Sequence, residues 1–190
     1  MAESVDRSAS AAGDLTVVGR LSRVKRVAVV GSGGAGKSTL ARELGQRTGI
    51  PVIHLDEHFW KPGWVATAAE QWRAVQNDLL AADCWIVDGN YGGTFDVRFA
   101  RADTVVVLAL PRLRCLTRAL LRVFQHHGRD VQAVGCPERL DLTFLRWVWR
   151  YPIDSRPRLK AALDRYQANL RVIELTSSAQ VEAFLRAAGE

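Results

Sequence analysis

The stretch Gly31-Ser32-Gly33-Gly34-Ala35-Gly36-Lys37-Ser38-Thr39 follows the apolar run Val27-Ala28-Val29-Val30 and matches the pattern G-x-x-x-x-G-K-[S/T]. Glycines let backbone N–H groups converge on phosphate without intervening side chains. The lysine then reaches the β and γ phosphates, and the next hydroxyl binds Mg²⁺. A strand before the pattern and a helical pattern after it make the match specific. We therefore expect residues 31–39 to bind ATP or another nucleoside triphosphate with Mg²⁺, with Lys37 as a catalytic residue and Ser38 as a metal ligand.

Strand and helix patterns alternate along the rest of the chain. Besides residues 27–30, apolar runs predict strands at residues 51–55, 84–87, 104–110 and 171–175. The stretches between them have helical periodicity, which predicts an α/β protein: a three-layer P-loop NTPase fold with a five-stranded parallel sheet, helices on both faces and a small helical Arg-rich lid. We expect a flexible N-terminal extension at residues 1–22 and a single domain at 23–190. The acceptor-binding segment is predicted at about 56–82 and the lid at about 122–158.

Composition narrows the class of protein. No apolar stretch approaches the roughly 20 residues that a membrane-spanning helix needs, and the amino terminus lacks the apolar centre of a secretory signal. We therefore expect a cytoplasmic protein without membrane contact. Cys84, Cys115 and Cys136 are widely spaced and form no zinc pattern, so they are predicted to be reduced packing residues.

Positive charge is concentrated between Arg98 and Arg171, where fourteen arginines and one lysine face six acidic residues. Such a region attracts anions, either nucleotide phosphates or a nucleic-acid backbone. Alternatively, many of these side chains are solvated, because the chain uses Arg over Lys throughout, 22 to 4. No helix-turn-helix, zinc-finger or basic-zipper signature is present, so we expect weak, non-specific nucleic-acid binding at most. The sequence does not indicate an oligomeric state.

Two acidic residues stand at the ends of predicted strands. Because parallel strands direct their carboxyl ends to one edge of the sheet, Asp56 and Asp88 should lie beside residues 31–39. Asp88 is predicted to hold Mg²⁺ as a Walker-B-type acid, and the alternative is a cap of the Gly89-Asn90 turn. Asp56 is predicted to position the acceptor or take its proton, and the alternative is a helix cap or turn.

Arg118 and Arg122 are four residues apart in a predicted helix, so one helical face presents both. Two guanidiniums suit the charge that develops on a transferred phosphoryl group, and Arg118 is also predicted to bind the nucleotide. The alternative is a pair of solvated surface arginines. An apolar stripe is predicted to occupy the opposite face of this helix: Leu113, Leu116, Leu120 and Val123.

The tryptophans are predicted to have two kinds of role, one in the core and one at the candidate site. Trp85 lies in a predicted strand and is assigned to the core. Trp60 and Trp64 bracket a Lys-Pro-Gly loop near the expected pocket, so they are candidates for acceptor recognition, with packing as the alternative. His54 lies within a predicted strand and is interpreted as a structural histidine with satisfied hydrogen bonds.

Two segments carry a family resemblance: His54-Leu55-Asp56-Glu57-His58-Phe59-Trp60-Lys61-Pro62-Gly63-Trp64 and Trp85-Ile86-Val87-Asp88-Gly89-Asn90-Tyr91. They resemble the bacterial topology modulation protein family, which is described as adenylate-kinase-like. Shorter matches at residues 110–112, 135–138 and 144–149 extend the resemblance over about residues 26–176. It implies a P-loop kinase or NTPase, and the family name implies an effect on DNA topology.

The segment Leu110-Pro111, Arg118, Arg122 and Gly128-Arg129 also resembles nucleoside monophosphate kinases, where such arginines contact the phosphates of both substrates. Asp88-Gly89 is similar to the start of their Asp-Gly-Phe-Pro-Arg segment, but Asn90-Tyr91 follows here, so the acceptor-binding arginine is missing and Arg98 is the predicted replacement. The predicted acceptor site therefore comprises Asp56, Trp60, Trp64, Asp88, Asn90, Tyr91 and Arg98. The predicted function is ATP- and Mg²⁺-dependent phosphoryl transfer to a nucleoside monophosphate or another small acceptor. The alternative is a slow nucleotide-hydrolysing regulator that associates with DNA.

Overall fold

A parallel sheet forms the centre of the computed structural model, which describes residues 24–188, so the predicted extension at residues 1–22 lies outside the described residues. Within that range the strands are β1 (Arg26–Gly31), β2 (Val52–His54), β3 (Trp60–Lys61), β4 (Val65–Ala66), β5 (Trp85–Asp88), β6 (Thr104–Leu108) and β7 (Arg171–Leu175). The five-stranded sheet has the order β2-β5-β1-β6-β7, and each neighbouring pair is parallel. β3 and β4 form a separate antiparallel hairpin.

Helices cover both faces of this sheet. They are α1 (Lys37–Thr48), α2 (Leu55–Phe59), α3 (Ala69–Leu79), α4 (Phe95–Phe99), α5 (Arg112–His126), α6 (Leu142–Asp154), α7 (Arg156–Tyr166) and α8 (Ser178–Ala187). Side chains alternate across a strand, and β1 shows the result. Val27 and Val29 enter a core with α1, α5, α6 and α8, whereas Ala28 and Val30 enter a second core with α3, α4 and α7. The predicted three-layer α/β P-loop architecture is confirmed, and Trp85 is fully buried in the second core.

The segment around Asp56 contains a shorter strand and more helix than predicted. β2 ends at His54, and Leu55 begins the five-residue α2, so Asp56 lies in the first turn of a helix rather than at a strand end. The segment that follows contains the β3–β4 hairpin before α3 begins at Ala69. Asp56 nevertheless lies beyond the same edge of the sheet at which β5 and β1 end.

Helix α5 packs through two small residues together with only part of the predicted apolar stripe. Cys115 and Ala119 are its buried residues, whereas Leu113 is 62% exposed and Leu120 is 39% exposed. Of the predicted stripe, Leu116 packs against the first core, while the small residues Cys115 and Ala119 let the helix backbone come close to its neighbours. Cys115 and Cys136 are buried free thiols as predicted, but Cys84 is exposed.

None of the helices in residues 24–188 has the length and apolar character needed to cross a bilayer.

Candidate functional site

Residues 31–39 connect β1 to α1, and α1 begins at Lys37 as the motif predicts. The Lys37 ammonium donates a hydrogen bond to the Ser32 carbonyl oxygen at 2.9 Å, so it lies inside the curve of the loop. The Ser32 hydroxyl is buried and has no hydrogen-bond partner among the described residues. The positive end of α1 faces the same loop. These features form an anion-binding concavity at the carboxyl end of β1.

Two glycines of this loop are required by close packing. A Cβ added to Gly34 would lie 2.1 Å from the Cys115 carbonyl oxygen in α5, and one added to Gly33 would lie 2.5 Å from Phe144 Cζ in α6. A side chain at Gly34 would force the backbone of α5 away, whereas one at Gly33 would displace the Phe144 ring. The glycines therefore admit α5 and α6 to the outside of the loop, in addition to leaving its backbone open toward phosphate.

The Asp88 carboxylate links the phosphate loop to β2. Ser38 Oγ donates to Asp88 Oδ2 at 2.6 Å, and His54 Nδ1 bonds to Asp88 Oδ1. Asp88 is 3% exposed, and its hydrogen bond raises the pKa of the His54 imidazole above the ordinary value. The Asp88 side chain therefore serves the loop rather than capping the Gly89-Asn90 turn.

Several of the predicted site residues affect the pKa of the Lys37 ammonium. Burial lowers its pKa, Asp56 and Asp88 oppose that decrease by attraction, and Arg122 adds to it by repulsion. Charges act on one another most at short range and in surroundings poor in water. The structure therefore brings Lys37, Asp56, Asp88 and Arg122 into one electrostatic neighbourhood, although the chain separates them widely.

Asp56 and Tyr91 form the next pair along the edge of the sheet. The Tyr91 hydroxyl donates to Asp56 Oδ1 at 2.5 Å. Burial is the main cause of a strongly raised pKa of the Tyr91 phenol, and the negative charge of Asp56 adds to it. The phenol therefore keeps its proton, and it orients one oxygen of the carboxylate while the other stays available.

Arg98 does not take the place predicted for it. Its guanidinium is fully buried and donates to the backbone carbonyl oxygens of Gly89 at 2.6 Å, Asn90 at 3.3 Å and Tyr91 at 2.8 Å. Burial lowers its pKa to about 10. All three bonds hold the turn after β5 in shape, and a substrate cannot reach this side chain. The assignment of Arg98 to the acceptor site is therefore corrected to support of the turn.

Arg118 and Arg122, the two α5 arginines predicted to act at the site, have different surroundings. Arg118 is exposed, and its Nη1 lies 3.5 Å from the position of a Cβ on Gly36 of the phosphate loop. No residue between 24 and 188 forms an ion pair or hydrogen bond with it. Arg122 instead pairs with the buried carboxylate of Glu138, at 3.1 Å between Nε and Oε1. Only Arg118 is free to contact a nucleotide without first giving up a protein partner.

The predicted acceptor segment and lid are joined to each other. The Gly63 N–H donates to the Gly135 carbonyl oxygen at 2.7 Å, and Trp64 Nε1 donates to the Pro137 carbonyl oxygen at 3.0 Å. The Cys136 thiol contacts the Lys61 carbonyl oxygen at 3.2 Å. Trp60 packs edge-on against Trp64, with ring centroids 5.4 Å apart. Both tryptophans are half-buried, and Trp64 fastens the β3–β4 hairpin to residues 133–138.

Three residues of this region were missed or underrated by sequence reasoning. His54 contacts Asp88 directly, and its position two residues before Asp56 was the available signal. Tyr151 in α6 donates to the Asn90 side chain at 3.0 Å, and Glu138 holds Arg122. No sequence pattern marks Tyr151, and the match at residues 135–138 includes Glu138 without indicating its partner.

The residues present fit a triphosphate with Mg²⁺. The Ser38 hydroxyl and Asp88 carboxylate are adjacent oxygen donors, which is the ligand chemistry that Mg²⁺ prefers. The unpartnered Ser32 hydroxyl and the Lys37 ammonium supply further polar groups for phosphate oxygens.

Comparisons with known proteins agree with this geometry. The uncharacterized protein YqaC of Bacillus subtilis (strain 168) is 31% identical over 151 residues, which cover 77% of this chain and 84% of that protein. The chain belongs to the YqaC family. Searching family models gave no match.

This chain shares its fold with kinases of known structure. Shikimate kinase from Acinetobacter baumannii in complex with shikimate aligns with a TM-score of 0.54 at 18% identity, covering 86% of this chain and 90% of that one. Shikimate kinase from Aquifex aeolicus aligns with a TM-score of 0.50 at 16% identity, covering 85% and 92%. At these identities the likeness establishes a kinase-like P-loop fold.

Proposed function

We propose that the protein is a P-loop kinase that takes the γ-phosphoryl group from ATP, with Mg²⁺, and transfers it to a nucleoside monophosphate or another small acceptor. The observation that carries the proposal is the 2.6 Å hydrogen bond between Ser38 and Asp88. It joins the hydroxyl of the phosphate loop to a buried acid on the neighbouring strand. A loop that bound phosphate for structural reasons alone would not need this acid.

Each charged group at the site has a role in this reaction. Lys37 and Arg118 contact phosphate oxygens and offset the negative charge that spreads over the transferred group. Ser38 and Asp88 hold Mg²⁺, which neutralises phosphate charge when bound. Asp56 orients the acceptor hydroxyl and accepts its proton through the carboxylate oxygen that Tyr91 leaves free. His54 keeps Asp88 directed toward the loop.

The nature of the acceptor and the cellular setting belong to the same proposal. A nucleoside monophosphate is one candidate acceptor, suggested by the resemblance to monophosphate kinases. Structural neighbours named for shikimate support a wider choice of small molecules. We further propose a cytoplasmic enzyme of the adenylate-kinase-like topology modulation type, in which the P-loop activity is the biochemical function.

The competing function, a slow hydrolase that associates with DNA, has less support from the arginines. Arg98 is buried, Arg150 pairs with Asp154, and Arg156 pairs with Glu174. Each such contact removes a guanidinium from a continuous phosphate-binding surface. We expect weak DNA binding that disappears as salt is raised. Tight DNA binding at physiological salt would favour the DNA-associated hydrolase over the kinase.

Replacing the loop lysine tests the proposal. ADP formation is measured across a panel of nucleoside monophosphates and hydroxyl-bearing metabolites, and the product mass is determined. Lys37→Ala should lower the acceptor-stimulated kcat/KM by at least about 100-fold, since a preorganised charge on the transferring group is lost. Lys160→Ala removes an exposed lysine of α7 and is the matched control. Undiminished transfer by Lys37→Ala would refute the proposal.

A further inference from the structure

The turn that follows β5 presents no cation to an acceptor. Arg98 is the guanidinium of this region, and its N–H groups are directed to the carbonyl oxygens of Gly89, Asn90 and Tyr91. Its burial is complete. Releasing it toward a phosphate would break all three hydrogen bonds, including the buried one to the Gly89 carbonyl oxygen. An acceptor phosphate therefore has no arginine to bind at this turn.

The acceptor-side groups of the turn after β5 are neutral, Asp56 is negative, and the neighbouring Arg122 is already paired with Glu138. The Asn90 side chain accepts a hydrogen bond from Tyr151, and the Tyr91 hydroxyl donates to Asp56. Within residues 24–188 no group donates a hydrogen bond to Asp56 Oδ2. Asp56 and the buried Asp88 both carry negative charge in this neighbourhood. Two carboxylates repel a phosphate ester but accept hydrogen bonds from hydroxyl groups.

A row of aromatic rings begins at Tyr91, whose hydroxyl is bonded to Asp56. The Phe59 ring centroid lies 4.6 Å from that of Tyr91 and 4.8 Å from that of Trp60. Trp60 in turn packs against Trp64. All four rings are half-buried, so each keeps some surface open. Aromatic faces bind the apolar face of a sugar ring or a base through dispersion and burial of apolar area. A carboxylate beside such a wall suits a ring that carries hydroxyl groups.

We propose that the acceptor is an uncharged molecule with a hydroxyl-bearing sugar ring, and not a phosphate ester. The inference rests on the proposed kinase function and names its substrate class. In the reaction, the bond between the γ-phosphorus and the bridging oxygen of ATP breaks, and a bond forms from the γ-phosphorus to an acceptor hydroxyl oxygen. The hydroxyl proton passes to Asp56. The products are ADP and the phosphate monoester of the acceptor. The sugar ring is that of a free carbohydrate or of a nucleoside.

Pairs of acceptors that differ by one phosphate group test this inference. The probes are adenosine and AMP, thymidine and TMP, uridine and UMP, ribose and ribose 5-phosphate, and glucose and glucose 6-phosphate. ADP release is followed with the full chain, ATP and Mg²⁺, and products are identified by mass. A neutral member of at least one pair should raise ADP release by at least about 10-fold over ATP alone, and its phosphorylated partner should not. Stimulation by nucleosides alone, or by free sugars alone, identifies the source of the ring.

Two outcomes of this panel overturn the inference: preference for the phosphorylated member of a pair, or the absence of stimulation by every neutral member. Binding of ATP to the wild type and to Lys37→Ala is measured in parallel. If ATP binds through Lys37 and only monophosphates are phosphorylated, the kinase proposal stands and the acceptor class is wrong. If ATP does not bind, the kinase proposal fails as well.

Variants at the carboxylate add a second readout. Asp56→Asn should lower the acceptor-stimulated rate by about 100-fold and leave the Kd for ATP within about 2-fold, because Asp56 acts on the acceptor hydroxyl. Glu57→Gln removes the same charge from the exposed neighbouring position and is the matched control. A stimulated rate that survives Asp56→Asn would overturn the inference, even with a neutral acceptor.

Discussion

Gly34 allows the most direct test of how the phosphate loop is packed. In Gly34→Ala the new methyl group would lie 2.1 Å from the Cys115 carbonyl oxygen, 3.0 Å from its carbonyl carbon and 3.2 Å from the Ala119 nitrogen. These are backbone atoms of α5 and cannot rotate away. Gly49, at the end of α1, has the same positive φ of 72° but no atom within 4 Å of an added Cβ. The two positions therefore differ in packing and share the same backbone conformation.

The expected magnitudes follow from that difference. A left-handed conformation costs alanine about 1–2 kcal/mol at either position. Forcing a methyl group into an occupied space adds about 1–3 kcal/mol at Gly34. We therefore expect Gly49→Ala to lower the free energy of unfolding by about 1–2 kcal/mol, and Gly34→Ala by about 2–5 kcal/mol.

Urea denaturation of both variants beside the wild type measures these values, and similar m-values would show that the transition is unchanged in extent. ATP affinity, measured on each folded protein, should fall in Gly34→Ala because the loop must shift away from α5. It should be unchanged in Gly49→Ala. If the two variants have stabilities within about 0.5 kcal/mol of each other, which is the range of ordinary surface substitutions, the close packing of α5 on the loop is refuted.

Three further predictions concern the contacts around the site. The Asp88 hydrogen bond raises the pKa of His54 above 6.5, so its stabilisation is fully present below that pH and is lost as pH rises through the folded pKa. The stability gap between wild type and His54→Gln, from urea midpoints, should therefore shrink from about pH 6 to about pH 9, and a constant gap would contradict this. Glu138→Gln should cost about 1–3 kcal/mol because Arg122 loses the charge of its partner, and an unchanged urea midpoint would show that the pair is not stabilising. Arg98→Met should lower the free energy of unfolding by at least about 3 kcal/mol, since three hydrogen bonds from a charged donor are lost, one of them to the buried Gly89 carbonyl oxygen. A loss below about 1 kcal/mol in guanidinium denaturation would disagree with the buried position of Arg98.

Features with a regular spacing were predictable from the sequence. The run Val27–Val30 and the motif at residues 31–39 have a fixed length and order, so they placed β1, the loop and the start of α1 correctly. The strand 104–110 was equally clear, because it consists of β-branched and aliphatic residues and ends at Pro111. These signals were sufficient for the architecture.

Contacts that depend on the path of the chain were not predictable. The five residues of α2 are too few for a periodic pattern to emerge, and the hairpin strands β3 and β4 have two residues each. Arg98 was placed in the wrong role because sequence proximity to Tyr91 does not determine the direction of its side chain. That direction follows from α4, which carries Arg98 back under the turn after β5.

The different surroundings of Arg118 and Arg122 were not predictable for a related reason. The spacing of Arg118 and Arg122 correctly predicts one helical face, but spacing contains no information on the partner that each side chain meets. Glu138 comes from the segment after α5, and it distinguishes the two arginines. Likewise, the small residues Cys115 and Ala119 gave a weak hydrophobic signal, yet they form the surface on which the loop rests.

The bonds between the hairpin and residues 133–138 also constrain how such an enzyme could be re-engineered. Gly63 donates to Gly135 and Trp64 donates to Pro137, so each segment depends on specific residues of the other. A lid taken from a relative and grafted alone would lose these partners and leave Trp64 without an acceptor. Exchanging hairpin and lid together would keep the joint intact. The two stretches therefore form one transferable module, and relatives that differ in the length of one should show a compensating change in the other.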